Sequence, residues 1–434
     1  MVSIRLISVC LLAASAGAGC PVWIPDAEPD GAGRAYALEG VSRGNDLARA
    51  ADGGLLLVGD AGSERTMGVA KLNPDGDVAW SRVLAGMSTP YPEYSGLVAV
   101  DEHGGALAVG SRKWLNTVHG EPQRIMLHRI DASGNMAWEG TFGPDNHHPT
   151  ACIRSGDGFA IAARGLSYLP GDAGDLDPYG FSAFVARIAD DGAERWRTAL
   201  AAGDLETYPR ALAQTADGGI VAAARYGPSR DAAPYTGAGR VAVFLLSAEG
   251  DTVWSRILDA DASDDYAPCA VAVGAGGDIW IAGTRSTVGV APADTSAVFV
   301  MRLTHEGDLV WQAEDPGAPR GWLDSARACD LAVHPDGCAA VTGMHSWSVA
   351  LELPWLPAPY PVATRSTPFL LQLDADGQRL WRQEFGAGAF VSAMVISPQE
   401  TYVICGGAGG GYAPVAMVWE ADLDGDLRDA PLAP

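Results

Sequence analysis

Short apolar runs separated by turns that contain Gly recur along most of the chain. The clearest unit is an apolar run, two or three polar residues, Gly, three more residues and then Trp; it occurs six times, ending at Trp80, Trp138, Trp196, Trp254, Trp311 and Trp381. These tryptophans are 58, 58, 58, 57 and 70 residues apart. A seventh copy, around Gly425, keeps the turn and lacks the final Trp. A period of this size predicts a repeat architecture.

A second unit precedes each of these copies, in which a Gly-rich turn leads into an apolar run. Asp-Gly and Gly-Gly pairs supply the positive φ angles that tight hairpin turns need, so each repeat contains four short strands, for example 211–213, 220–224, 241–246 and 254–258. Four antiparallel strands per repeat are typical of a propeller blade. We predict an all-β, seven-bladed β-propeller over residues 34–426, with a tail at 427–434.

The two ends of this repeat region are predicted to meet. The seventh copy lacks a fourth strand, because Gly425 is followed by acidic residues and prolines. The segment 34–40 parallels 80–86, the fourth strand of the first unit. We therefore expect the N-terminal segment to complete the last blade and close the ring.

The N-terminus carries a targeting segment. One positive charge at Arg5 is followed by an apolar run, 6–16, and by small residues before Cys20. This segment resembles a bacterial lipoprotein signal, which implies cleavage after residue 19, lipidation of Cys20 and a linker over 20–33. In lipoproteins of this kind, Asp after the lipidated cysteine is the signal for retention in the inner membrane. This chain has Pro21 at that position, so the resemblance favours the outer membrane. Ordinary secretion is the alternative.

Charge and apolar content exclude two classes of protein. The formal net charge of -24 disfavours nucleic acid as a partner. The 48% of apolar residues is too high for a disordered acidic chain. We expect a monomer that contacts the membrane only through its lipid.

The cysteines suggest no metal site. Removal of the signal and lipidation of Cys20 leave an odd number, namely Cys152, Cys269, Cys329, Cys338 and Cys405. Their wide spacing fits no zinc pattern. Small buried apolar residues and one or two disulfides are both compatible with this set.

The repeat phrase is similar to those of bacterial quinoprotein-like propellers, including the lipoprotein propellers of outer-membrane assembly, and to short bacterial β-propeller repeats. This resemblance covers nearly all of residues 34–426 and implies the fold. The turns here contain Asp-Gly or Glu-Gly instead of Thr-Gly, and seven units stand where the quinoprotein type usually has eight. The resemblance therefore implies no quinone, and we expect no cofactor.

Loop length indicates which face of the propeller binds a ligand. Tight turns occupy one face, whereas long loops such as 164–182, 225–239 and 345–368 occupy the other, which we call the long-loop face. Basic residues follow the second strand of several units: Arg112, Arg164, Arg225, Arg285 and His345. Aromatic residues populate the same loops, among them Trp114, Tyr179, Tyr235, Trp347, Trp355 and Tyr360. The basic set fits an anion pocket or the neutralisation of nearby carboxylates, and the aromatic set fits a binding surface or packing of the loops on the scaffold.

The remaining candidates are expected to be structural. The repeated Trp residues should pack between blades, and the acidic residue in each turn, such as Asp75, should shape that turn. His147 and His148 lack an evident third ligand for a metal. No arrangement of a nucleophile with its base is visible, so we expect no enzyme.

These features predict a binding or scaffold protein that uses its long-loop face. The partner is expected to be an envelope protein or peptide. The alternative is a glycan or a small anionic molecule bound at the mouth of the channel, and a lyase or hydrolase is less expected.

The lipid anchor is tested directly by labelling with fatty acid. Cys20→Ser removes the thiol that the lipid would modify, so we expect the label seen in the wild type to be lost. Retained label in the variant would contradict the anchor.

Overall fold

The structure is a computed structural model that describes residues 34–36, 43–61, 66–84, 96–112, 124–144, 147–165, 183–202, 205–228, 238–258, 264–287, 296–317, 322–351, 360–386, 388–397, 400–408 and 415–427. The predicted signal, linker and most of the predicted tail lie outside these residues. No helix in the described part of the chain is long and apolar enough to span a membrane.

In the described part of the chain, twenty-eight strands form six sheets, in which all pairings are antiparallel except the one between β20 and β22. Sheet 1 contains β2 (Arg43–Arg49), β3 (Leu55–Ala61), β4 (Thr66–Leu72) and β5 (Val78–Val83). Sheet 2 contains β6 (Leu97–Val100), β7 (Ala106–Arg112), β8 (Arg124–Ile130) and β9 (Met136–Phe142). Sheet 3 contains β10 (His147–Ser155), β11 (Gly158–Gly165), β12 (Phe184–Ala189) and β13 (Glu194–Ala199). Sheet 4 contains β14 (Glu206–Gln214), β15 (Ile220–Gly227), β16 (Arg240–Leu246) and β17 (Thr252–Leu258).

The last two sheets differ from this pattern. Sheet 5 has eight strands: β18 (Asp264–Val273), β19 (Ile279–Thr287), β20 (Ser296–Leu303), β21 (Leu309–Asp315), β22 (Trp322–Val333), β23 (Ala339–Leu351), β24 (Tyr360–Leu373) and β25 (Arg379–Glu384). Sheet 6 contains β26 (Ala389–Ile396), β27 (Tyr402–Ala408), β28 (Val415–Ala421) and β1 (Arg34–Tyr36).

The first strand of each unit lies at the centre of a β-propeller. These inner strands, namely β2, β6, β10, β14, β18, β22 and β26, each contact the next, and β26 contacts β2. The inner strands thus surround a central channel, and the sheets radiate outward from it.

The predicted number of blades is corrected by the sheet topology. The structure has five separate four-stranded blades, not seven, because two repeats are merged in sheet 5. The merger follows from strand length: β22, β23 and β24 have 12, 13 and 14 residues. The extended start of β22 reaches β20, where Ser325 pairs with Ser296 in a parallel bridge.

The prediction that an N-terminal strand closes the ring is also corrected. The ring closes at its centre, through β2 and β26, and an apolar cluster joins sheet 1 to sheet 6. Leu47 and Leu57 contribute to this cluster from one side, and Val403 and Val418 from the other. Of the predicted segment 34–40, the described strand contains three residues, which pair with β28 on the outer edge of sheet 6.

The burial of the strands explains why the units need neighbours. All eight residues of β15 are buried, whereas β17 and the other outer strands alternate exposed and half-buried residues. Apolar side chains of the inner and middle strands pack between adjacent sheets, as where Phe244 and Leu246 meet Ala160 and Val185. A single sheet therefore has no core of its own, and stability comes from stacking.

Each repeated Trp lies under the turn of the next unit. Trp196 donates a hydrogen bond from Nε1 to the carbonyl of Ala248, at 2.9 Å. Two residues later, Gly250 has a φ of 93°, and a Cβ there would come within 2.5 Å of the Trp196 ring. The same link connects the other pairs, namely Trp80 with Gly134, Trp138 with Gly192, Trp254 with Gly307, Trp311 with Gly377 and Trp381 with Gly425. Each of these six tryptophans thus contacts the turn of the following unit.

Two carboxyl groups join neighbouring inner strands. Asp46 accepts hydrogen bonds from the backbone N–H of Leu47 and of Val98 on the next inner strand, each at 2.8 Å. Asp330 does the same with Leu331, at 2.8 Å, and Met394, at 2.7 Å. Burial raises the pKa of Asp46 to about 7 and that of Asp330 to about 6, although the N–H donors act in the opposite direction.

The link between Trp and Gly can be tested at one turn. Gly250→Ala places a methyl group against the Trp196 ring at a positive φ, and we expect a loss of roughly 1–3 kcal/mol in the free energy of unfolding. Gly140→Ala is the matched control, because no atom lies within 4 Å of the added Cβ. Urea unfolding of both variants measures the difference, and equal stability would contradict the packing role of Gly250.

The carboxyl link predicts a dependence of stability on pH. A raised pKa in the folded state means that the contribution of Asp46 is fully present below the unfolded pKa and is lost as pH rises toward 7. Relative to Asp46→Asn, the wild type should lose roughly 2–4 kcal/mol between pH 4 and pH 7. Urea unfolding of both proteins across this range tests the sign, and a constant difference would show that the carboxyl is not perturbed.

Candidate functional site

The long-loop end of the central channel brings together four polar residues from sheets 3 and 4. His148 and Arg164 are opposite one another on β10 and β11, and Tyr208 and Arg210 lie two residues apart on β14. We call these four residues the channel mouth. Arg210 is exposed, Arg164 and His148 are half-buried, and Tyr208 is buried.

An arginine stacks on an aromatic ring at the channel mouth. The Arg164 guanidinium carbon lies 5.3 Å from the centre of the Tyr208 ring, within the range of a cation–π contact. The Nε of Arg164 is buried and has no hydrogen-bond partner among the described residues. This geometry fixes the plane of the guanidinium and leaves donor capacity for a ligand.

The charge at the channel mouth is positive. The pKa of His148 is lowered to about 4, first by burial and then by the charges of Arg164 and Arg210. His148 is therefore neutral at physiological pH, and its Nδ1 lies 3.0 Å from the Ser111 hydroxyl. The positive charge at the mouth thus comes from the two arginines, in a chain with a net charge of -24.

Two of the predicted basic residues are engaged by carboxylates of the protein. Arg225 is 1% exposed, and its Nε donates to Asp265 at 2.7 Å. Arg285 donates to Asp264 at 2.7 Å and lies 3.1 Å from Glu314. Both arginines thus have intramolecular acidic partners, which is the alternative that the sequence left open.

His345 is at the centre of a separate, buried cluster in sheet 5. Its side chain is fully buried, with Nδ1 3.0 Å from Glu384 and Nε2 3.6 Å from Asp324. Arg382 lies 3.1 Å from Asp315 in the same cluster. Because His345 has no exposed surface, it cannot contact a ligand at the long-loop face.

The other predicted residues are placed on strands or lie outside the described residues. Arg112 pairs with Arg124 through the backbone, and Trp347 lies 5.5 Å from the ring of His345. Trp347 and Tyr360 belong to β23 and β24, so much of the predicted loop 345–368 is strand. The remaining aromatic candidates, Trp114, Tyr179, Tyr235 and Trp355, lie outside the described residues.

The described residues show neither a cluster of metal ligands nor a disulfide bond. They contain no group of three His, Cys, Asp or Glu side chains arranged to hold a metal ion. Cys152, Cys269, Cys329, Cys338 and Cys405 are all free; Cys152 and Cys405 are buried, and the other three are half-buried. Burial raises the pKa of each of these thiols above its ordinary value.

Arg210 is not among the basic residues predicted from the sequence. It lies in a Pro-X-Ala segment, and the three such segments at 149–151, 209–211 and 268–270 each lie on an inner strand. The segment marks a position where the strand departs from regular pairing, since the register shifts at each of these sites.

A cleft lies away from the channel mouth. It has a volume of ≈ 380 Å³ and lies between β20 and β21 on one side and β24 and β25 on the other. Its lining includes Val298, Ala313 and Leu371, with Asp315 and Arg379 as charged residues. We therefore assign the candidate site by charge and exposure and not by cavity size.

Comparisons with known proteins show the fold. No protein-family model and no curated protein matches the sequence. Among solved structures, an ulvan lyase of polysaccharide lyase family PL25, bound to -[GlcA(1-4)Rha3S]-, has a TM-score of 0.52 at 9% identity and covers 89% of this chain and 95% of its own. A puromycin hydrolase has a TM-score of 0.51 at 14% identity; the match covers 93% of this chain and 56% of the hydrolase.

A protein of unknown function from Dyadobacter fermentans has a TM-score of 0.50 at 11% identity, with coverage of 76% of this chain and 95% of its own. The solved structures thus include a lyase, a hydrolase and a protein without an assigned function. At this level of identity, they establish that the chain is a β-propeller.

Proposed function

We propose that the protein is an exported, lipid-anchored binding protein that recognises an anionic ligand, such as an acidic glycan, at the channel mouth. The observation that carries this proposal is the stack of Arg164 on Tyr208, in which the Nε of Arg164 is buried and has no hydrogen-bond partner among the described residues. Arg164 and Arg210 both lower the pKa of His148, and positive charge of this kind attracts a carboxylate or sulfate. The stacked Tyr208 provides an aromatic surface beside them.

The geometry of arginine suits this class of ligand. A guanidinium offers a planar fork of N–H donors that matches the oxygens of a carboxylate. A sugar carboxylate could bind Arg164 or Arg210 while the sugar ring packs against the neighbouring aromatic surface. The ligand of the ulvan lyase also contains an acidic sugar, so an acidic oligosaccharide is a suitable probe.

A protein partner on the aromatic loops stays a prediction, because most of those aromatic residues lie outside the described part of the chain. An enzymatic activity is likewise untested. The described residues of the channel mouth include neither a serine nor a cysteine nucleophile, and we assign no catalytic role to them.

The proposal predicts which arginines matter. Arg164→Ala and Arg210→Ala should each weaken binding of trigalacturonate by about 10- to 100-fold, the size of a lost charge-assisted hydrogen bond. Isothermal titration calorimetry measures the affinity, and raising the salt concentration should weaken wild-type binding as well.

Arg154→Ala is the control for loss of one positive charge. Arg154 lies toward the tight-turn face and is 2.9 Å from both Asp190 and Glu102. Its removal should leave the affinity unchanged. If Arg154→Ala weakens binding as much as Arg164→Ala, only the overall charge matters and the proposed site is wrong.

A further inference from the structure

One position of the outer strands breaks the pattern of the repeat. Four residues after the repeated Trp, five of the six units have an apolar residue that is buried in a cluster between two sheets. These residues are Leu84, Phe142, Leu200, Leu258 and Phe385. The fifth unit, β18–β21, has Asp315 at this position, and Asp315 is 6% exposed. A buried carboxylate at a position that serves stacking in the other units marks a candidate functional site.

The contact from the following unit changes together with this residue. Arg197 in the third unit and Arg382 in the sixth are each one residue after the Trp. The guanidinium carbon of Arg197 lies 5.4 Å from the centre of the Phe142 ring, whereas Nη1 of Arg382 lies 3.1 Å from Oδ2 of Asp315. Between the fifth and sixth units, an ion pair therefore replaces a cation–π contact.

The polar atoms of this ion pair are only partly satisfied. Asp315 accepts a hydrogen bond at Oδ1 from the backbone N–H of Gly317, at 2.7 Å. Arg382 lies between Asp315 and Glu384, whose carboxylate is 3.7 Å away. Oδ2 of Asp315 and the three guanidinium nitrogens of Arg382 are buried, and none has a partner in hydrogen-bond geometry among the described residues. Such buried atoms are rare in folded proteins and are candidates for contact with a ligand.

Asp315 lines the cleft between the fifth unit and the sixth, β22–β25. The volume of this cleft, ≈ 380 Å³, is in the range of sites for small molecules. Its lining includes Val298 and Val300 from β20 and Leu371 and Leu373 from β24, which are all buried. The cleft therefore combines apolar walls with a buried carboxylate.

A small side chain explains why the cleft exists. Ala313, which also lines it, is two residues after the Trp, where the third unit has Thr198 and the fourth has Arg256. Thr198 donates a hydrogen bond to the carbonyl of Gly250 in the next unit. Ala313 has no group that could make this contact, so space remains between the two sheets.

The charged residues of the lining suit a ligand with both signs of charge. Glu314 is 3.1 Å from Arg285, which lies outside the lining. Arg379 also lines the cleft; its side chain is 59% exposed, and its Nη1 is 3.8 Å from Oδ2 of Asp315, too far for a hydrogen bond. One carboxylate and one guanidinium group are thus presented side by side, which matches the ammonium and carboxylate groups of a zwitterion.

We infer that this cleft binds a small apolar α-amino acid. Asp315 accepts a hydrogen bond from the α-ammonium group, Arg379 donates to the α-carboxylate, and the apolar side chain packs between β20 and β24. Arg382 acts as a positioning residue that holds the carboxylate of Asp315. The cleft is separate from the channel mouth, so this inference does not depend on the proposed function.

The first experiment compares ligands that each lack one feature of leucine. Equilibrium dialysis of the full chain with radiolabelled leucine measures binding, and unlabelled compounds compete. Leucinamide has no carboxylate and N-acetylleucine has no ammonium group, so each should compete at least about tenfold less well than leucine. Glycine lacks the apolar side chain and should also compete at least about tenfold less well. Absence of saturable leucine binding, or equal competition by these compounds, would overturn the inference.

The second experiment changes the cleft. Asp315→Asn removes the charge and keeps the shape, and Ala313→Leu fills the space without altering any charge. Both variants should weaken leucine binding by about 10- to 100-fold. Thermal unfolding shows whether each variant is folded, and unchanged leucine affinity in a folded Ala313→Leu would place the ligand outside the cleft and contradict the inference.

Arg379→Ala keeps the test decisive if a buried variant does not fold, because this side chain is exposed and contributes little to the core. It should weaken leucine binding by about tenfold. Arg195→Ala is the matched control: Arg195 is 56% exposed on the outer strand β13, and its Nη2 is 4.0 Å from Asp157. We expect Arg195→Ala to bind leucine like the wild type, and equal affinities in the two arginine variants would show that Arg379 does not hold the ligand.

Discussion

The contact between an outer-strand Trp and the Gly of the following turn governs this architecture. The indole N–H is bonded to a turn carbonyl, and the ring occupies the space that any Cβ at the Gly would need. The Gly is therefore required for two reasons: the turn needs a positive φ at this residue, and the indole ring leaves no space for a side chain on it. Because the contact always runs from one unit to the next, it sets the stacking distance and direction of the sheets. The buried inner strands and the channel follow from that stacking.

The inner and middle strands contribute differently to the stacking of the sheets. The sheets are stacked mainly by side chains of the middle strands and by the Trp–turn contacts. At the bulges of the innermost strands, few side chains enter the core. Arg210 can remain exposed there at no cost to packing, whereas Arg225, one strand outward, is buried and needs Asp265 as a partner. The position of an arginine in the sheet thus decides whether its guanidinium is removed from solvent, as in Arg225, or stays exposed, as in Arg210.

Much of the fold could be predicted from the sequence, since turn glycines and outer tryptophans recur at a nearly constant period. The merger of two units into sheet 5 could not, because it depends on how far β22, β23 and β24 extend into a segment that had the composition of a loop. The site was predicted only in part. Arg164 and Arg225 occupy similar places in their units, but Arg225 is paired with Asp265, and such a contact over 40 residues of sequence is invisible in the local pattern. Arg210 was missed because a bulge changes the direction of a side chain without changing the hydrophobic pattern.

Among the described residues, the Trp contacts run in one direction around the ring, from Trp80 to Gly425. Sheets 6 and 1 also share an apolar cluster. Sheet 6 pairs β1, from the N-terminal side of the described chain, with β28, from its C-terminal side. Mechanical pulling on the N-terminus would therefore act on the β1–β28 pairing before it acts on the stacked sheets.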